Sequence, residues 1–240
     1  AIGRCPLIRD RARPFRPFAA AVALALIAGG CATRPDPTDA EAVAEFRATN
    51  DPIEPLNRAM FFVNDGIDVL VLRPAAEAYR LFIAPEVRVA IRNILGNMRS
   101  PIILVNDVLQ GETQRAATTA GRFLINTTIG IGGIFDVAKD FGLLGHTEDF
   151  GQTLAVWGLP EGPYLFVPVL GPSNPRDLVG AGVGIATDPL TWVGGDAIQA
   201  VSISRAGVGA VDTREGLIEP LDILREQSLD PYAVLRSAYR

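Results

Sequence analysis

"PLNRAMFFVNDGIDVLVLR", residues 55–73, repeats like an α-helix but carries its polarity in unusual proportions. Asn57, Phe61, Asn64 and Asp68 fall at i, i+4, i+7 and i+11, which is one face. Most of the remaining circumference is Met60, Phe62, Val63, Ile67, Val69, Leu70 and Val71. A surface helix of a water-soluble protein shows a narrow apolar stripe on a polar rod; here polar is the minority face. Two readings are open. Either this is a central core helix whose polar groups are satisfied internally, or it has lipid or protein on its apolar arc and a wet passage along its polar stripe. The second reading makes Asn57, Asn64 and Asp68 candidate channel-lining residues.

Outward from this helix the same texture recurs. "FLINTTIGIGGIFDVAKDFGLLG" (123–145) has Phe123 to Phe135, 13 residues, as its longest uncharged run. A bilayer-crossing helix needs about 20. "PEVRVAIRNILGNMR" (85–99) brings Arg88, Arg92 and Arg99 near one another on a face, for ion pairing with carboxylates or for contact with lipid phosphates. "EGPYLFVPVLGPSNPRD" (161–177) holds four prolines in an apolar run, so it cannot be continuous helix. It reads as a loop over a core or as a ridge against a membrane. Pro74, Pro85, Pro101 and Pro189 stand at expected helix starts, and Gly96, Gly111 and Gly145 near expected ends. No period-2 strand run and no internal repeat is visible, so an all-α domain is predicted from Asp51 onward.

The 240 residues suffice for one large domain or two small ones. With 22 Lys+Arg against 27 Asp+Glu the chain lacks the basic footprint that a nucleic-acid partner requires. A hydrophobic fraction of 48% and a mean hydropathy of +0.24 imply either an unusually large core or apolar surface facing lipid. Part of this lies at the N-terminus. Five arginines (Arg4, Arg9, Arg11, Arg13, Arg16) precede "FAAAVALALIA" (18–28) and Gly29-Gly30-Cys31, the pattern of a secretory signal with a bacterial lipobox. The expected organisation is a signal peptide over 1–30, a lipidated Cys31 and polar tether over 31–50, and a helical domain over 51–240. Cys5 would leave with the signal, so no disulfide is expected. Residue 32 is Ala and not the Asp that retains many lipoproteins at the inner membrane, which points to the outer membrane, periplasmic side.

Catalytic motifs are nearly absent. His146 is the one histidine, which removes any His-pair metal site, and no carboxylate loop of recognisable spacing replaces it. There is no G-x-S-x-G and no phosphate-binding loop. Gly180, Gly182 and Gly184 form G-x-G-x-G without a preceding strand and fit helix packing or a bend. His146 itself reads as a hydrogen-bonded loop or cap residue. No enzyme activity, cofactor or metal is expected.

Several segments occur together and in order: "DPIEPLNRAMFFVND" (51–65), "LRP" (72–74), "NDVLQG" (106–111), "GRFLINTTIGIGGIFDVA" (121–138), "EDFGQTLAVWG" (148–158), "GPYLFVPVLGPSNPRD" (162–177) and "DPY" (230–232). In these the chain resembles the VacJ/MlaA outer-membrane lipoproteins over nearly all of 51–232, with little to align between 180 and 225. The resemblance implies a ring of mostly in-plane amphipathic helices around a central amphipathic channel. It also implies removal of phospholipids that have strayed into the outer leaflet, their transfer to the soluble periplasmic carrier MlaC, and association with a trimeric porin. On that reading a segment too short to span lies in the membrane plane, and Gly130, Gly132 and Gly133 are a candidate hinge, with fixed bends or close packing as the other reading. A scaffolding lipoprotein of the envelope is the alternative from another class, and a lipid hydrolase a third.

Overall fold

The computed structural model describes residues 36, 38–49, 51–188 and 196–240; the expectations for the signal segment, Cys31 and Pro189 lie outside the described residues. The chain divides into two units, residues 1–47 and 48–240. Helix α1 (Ala40–Thr49) starts behind Asp39, whose carboxylate accepts from the Ala42 N–H at 3.0 Å and caps the first turn.

The body is built from helix α2 (Glu54–Ile67), a π-helical turn (Asp68–Leu72) and helix α3 (Arg73–Phe82), which follow without a break. Pro74 sits inside this run, where its ring would clash with an ordinary preceding turn. The wider turn just before it, with Arg73 N–H bonded to Asp68 O, makes the room. Helix α4 (Pro85–Leu109) starts at Pro85 as expected, but Pro101 and Gly96 lie in its interior and not at helix boundaries. An interior proline costs about 3 kcal/mol. Packing along helix α5 (Thr113–Thr128) keeps α4 continuous, and the Ser100 hydroxyl bonds back to Gly96 O at 3.3 Å.

A 3-10 turn (Val137–Phe141) and helix α6 (Phe150–Val156) lead to the proline-rich segment. Here the all-α expectation has its one exception among the described residues. Strands β1 (Leu165–Val167) and β2 (Gly171–Ser173) pair antiparallel, Leu165 opposite Ser173. Three-residue strands carry too few side chains to show a period-2 signal. Helices α7 (Pro175–Thr187), α8 (Asp196–Gly216), α9 (Ile218–Gln227) and α10 (Pro231–Tyr239) complete the chain. Gly180 of α7 meets α6 backbone to backbone: a Cβ there would stand 2.2 Å from Gly151 N. That is the helix packing anticipated for this glycine.

Contacts pass around a closed circuit, from α2 through α3 to α8, then α4, α6 and α7, whose cap Asn174 follows directly on β2. β1 returns the circuit to α2. The apolar core is small and sits at this closure. Tyr164, Phe166 and Tyr232 are buried around Phe61, whose ring meets Phe166 and Tyr232 edge to face at 5.5 and 5.7 Å.

Candidate functional site

Polarity in this body is reversed. Among the described residues, buried polar and charged side chains outnumber buried apolar ones, while Phe62, Leu70, Leu81 and Phe82 are 70–78% exposed. No described helix is long and apolar enough to cross a membrane.

The polar face of α2 points to protein partners. Asn57 is buried; its amide donates to Asp51 Oδ1 (2.7 Å) and Tyr164 O (3.0 Å) and accepts from Phe166 N–H (2.9 Å), which fixes β1. Asn64 Oδ1 accepts from Val169 N–H at 2.8 Å and holds the hairpin tip, where Val169 takes a left-handed φ of 71°. Asp68 is buried against Arg214 and Arg225, with Arg225 also reaching Asp65 at 2.6 Å. Burial would raise the Asp68 carboxyl, but hydrogen bonds from both guanidinium groups outweigh it and hold it below the usual range.

Of the three arginines singled out on α4, Arg88 pairs with the buried Glu215, and Arg92 grips the buried Asp212 through two bonds of 3.0 Å. Arg80 of α3 joins the same pair of carboxylates through Glu215, at 3.0 Å. Ion pairing, the first of the two readings, therefore describes Arg88 and Arg92. Arg99 is exposed, has no hydrogen-bond or ion-pair partner among the described residues, and stands at the edge of a cavity.

That cavity, about 240 Å3, opens between α4, α5 and the loop at 145–147; Arg92, Asn93, Asn97, Arg99, Arg122 and Asn126 line it. Its floor is fixed by a network. Arg122 binds Asp136 at 2.9 and 3.0 Å, and Asn126 donates to Asp136 at 2.8 Å while accepting from Ala138 N–H at 2.9 Å. Burial would raise Asp136, but Asn126 and Arg122 together keep it low. Asn97 donates to Thr127 at 3.0 Å, and its buried Oδ1 is left without a partner. Asn97, Arg122, Asn126 and Asp136 were not singled out from the sequence. The signal available was a polar residue inside an apolar run, as with Asn126 in "FLINTT".

The three glycines sit beside this cavity in a tight turn. A Cβ on Gly130 would stand 2.3 Å from Phe135 O, and one on Gly133 2.6 Å from Asn97 Cβ. Gly132 and Gly133 have φ of 69° and 94°, and Gly132 has open space around its Cα. His146 is the hydrogen-bonded loop residue expected of it, with Nε2 2.8 Å from Asp107 Oδ1.

A polar cavity with Arg99 uncommitted at its edge, in a body greasy on the outside, can hold an anionic headgroup while hydrocarbon stays outside. Comparison with known proteins identifies the family. An intermembrane phospholipid transport system lipoprotein MlaA from Haemophilus influenzae is 34% identical over 215 residues, 88% of this chain and 82% of that one. The Escherichia coli protein of the same name is 34% identical over 194 residues, 79% of this chain and 75% of its own. A solved structure described as the structural basis for maintenance of bacterial outer membrane lipid asymmetry superimposes with a TM-score of 0.69 at 33% identity. It covers 79% of this chain and 94% of its own. The model of the MlaA lipoprotein family matches residues 49–240, and the chain belongs to that family.

Proposed function

We propose that this chain is a phospholipid-transport lipoprotein of the outer membrane. It takes phospholipids that have strayed into the outer leaflet, passes their headgroups through its polar interior, and hands them to the periplasmic carrier MlaC, beside a trimeric porin. Cys31 carries the lipid anchor in the periplasmic leaflet. The work is transfer without catalysis. The observation that carries this reading is the reversed polarity: charged networks inside, and Phe62, Leu70, Leu81 and Phe82 outside. Each such side chain gains about 1.5–3 kcal/mol on leaving water, so this surface belongs in hydrocarbon.

Energetics explain why a passage is needed. A phospholipid with about 30 methylenes loses on the order of 24 kcal/mol if drawn bare into water. A polar path for the headgroup with hydrocarbon alongside keeps both ends solvated and lowers that barrier without an energy source. On this reading Asn57, Asn64 and Asp68 hold the wall of the path through the hairpin and α8, and Arg99 meets the lipid phosphate. The glycines at 130, 132 and 133 set the bend at its edge and act as a hinge.

The test is a deletion strain scored for phospholipid at the cell surface and for detergent sensitivity, complemented with wild type and with Arg99→Glu. Arg99 is exposed and its side chain has no partner among the described residues, so the variant should keep the wild-type thermal melt in detergent. We expect it to leave surface phospholipid near the deletion level. Full complementation by Arg99→Glu would remove the phosphate contact, and a deletion strain with no surface phospholipid would remove the transport reading.

A further inference from the structure

Behind the cavity the fold gathers three residues that the lipid path does not use. Asp107 from the end of α4, His146 from the loop after the 3-10 turn and Glu148 just before α6 each place one ligating atom within 4.8 Å of the other two. Asp107 is fully buried, Glu148 nearly so, and His146 faces the cavity. We propose that Asp107, His146 and Glu148 bind one zinc-class divalent metal ion.

The donor set is one imidazole nitrogen and two carboxylate oxygens, all of which ligate zinc at about 2.0–2.2 Å. Donors around such an ion stand about 3.3 Å apart by tetrahedral geometry. His146 Nε2 and Asp107 Oδ1, 2.8 Å apart, need only separate slightly, and the Glu148 oxygen needs only a modest approach. The carboxylates are already oriented by outer partners, as metal ligands are. Thr119 donates to Asp107 Oδ2 at 2.7 Å, which leaves Oδ1 to face the histidine. Gln110 donates to Glu148 Oε2 at 2.9 Å and Arg115 to Oε1; each oxygen has two lone pairs, so Glu148 keeps both donors and still ligates.

Charge favours a cation here. Asp107 and Glu148 are both buried, and of the two only Glu148 meets an arginine, Arg115, among the described residues, so the pair of carboxylates outnumbers the cation beside it. A divalent ion entering from the cavity would be held by Nε2 of the neutral tautomer that carries its proton on Nδ1. It ties the loop at 146–148 to α4 and keeps its fourth position for a water on the cavity side.

The experiment uses the full chain in detergent, with a purification tag free of histidine, stripped with EDTA. It is dialysed against Co2+ or Zn2+, bound metal is counted by mass spectrometry, and the cobalt visible spectrum is recorded. We expect one ion per chain, an intense four-coordinate cobalt band and its loss on adding Zn2+. His146→Gln keeps an N–H for Asp107 but removes the ligating nitrogen; it should lose at least the roughly 100-fold in affinity that the loss of an outer partner can cost, with an unchanged thermal melt. Glu148→Gln should weaken binding too. Metal-free wild type after dialysis, or equal retention by wild type and His146→Gln, would overturn the site.

Discussion

Single side chains in this protein hold backbone that no secondary structure satisfies. Asn57 is the clearest case, because its amide alone serves Tyr164 O and Phe166 N–H across a buried gap. Asn57→Ala strands both groups and should cost about 1–3 kcal/mol, read as a lower melting temperature in detergent. The glycine turn gives a second contrast. Gly133→Ala forces a Cβ against Asn97 and should destabilise strongly, whereas Gly132→Asn has open space and a side chain tolerant of left-handed φ, so it should fold normally. Normal transport by Gly132→Asn would argue that the turn works as a fixed bend; lost transport with an unchanged melt would support a hinge. At this scale the sequence announces which polar residues are odd, since Asn57, Asn64, Asp68 and Asn126 interrupt apolar runs. Apart from Asp51, their partners lie 105 to 157 residues away for Asn57, Asn64 and Asp68, and 10 to 12 away for Asn126, and periodicity carries no information on such pairings.

Between elements the joints are ionic. α8 supplies Asp212, Arg214 and Glu215, which lock to Arg92, Asp68 and Arg88 on α4, the π-turn and α4 again. Asp68 and Asp136 both have carboxyl groups held below the ordinary value of 3.8 in the folded chain. A depressed folded value means stability that is present above the unfolded value and is lost as pH falls through the folded one. Thermal melts in detergent should therefore be level from pH 7 to about 5 and fall steeply below about pH 4. Asp136→Asn should flatten part of that fall. Helices with strong periodicity were legible; Pro101 misled because the packing of α4 on α5 outweighs one lost hydrogen bond, and the hairpin was too short to leave a pattern.

For the body as a whole, the decisive property is where its apolar side chains point. A scaffold lipoprotein held only by its anchor would leave the membrane once Cys31 is changed. With Phe62, Leu70, Leu81 and Phe82 outward, the Cys31→Ser protein should still partition into the detergent phase on cloud-point separation. Recovery in the aqueous phase would favour the scaffold. Composition hinted at this through its high mean hydropathy, yet a count of apolar residues does not say whether they fill a large core or face outward.

The inverted distribution also governs the chain's itinerary. A newly made molecule crossing an aqueous compartment would travel with its oiliest side chains uncovered and would clump with its siblings well before arrival. Exposed side chains of this kind favour a shielded passage through water, and overproduction of the chain should show as aggregation.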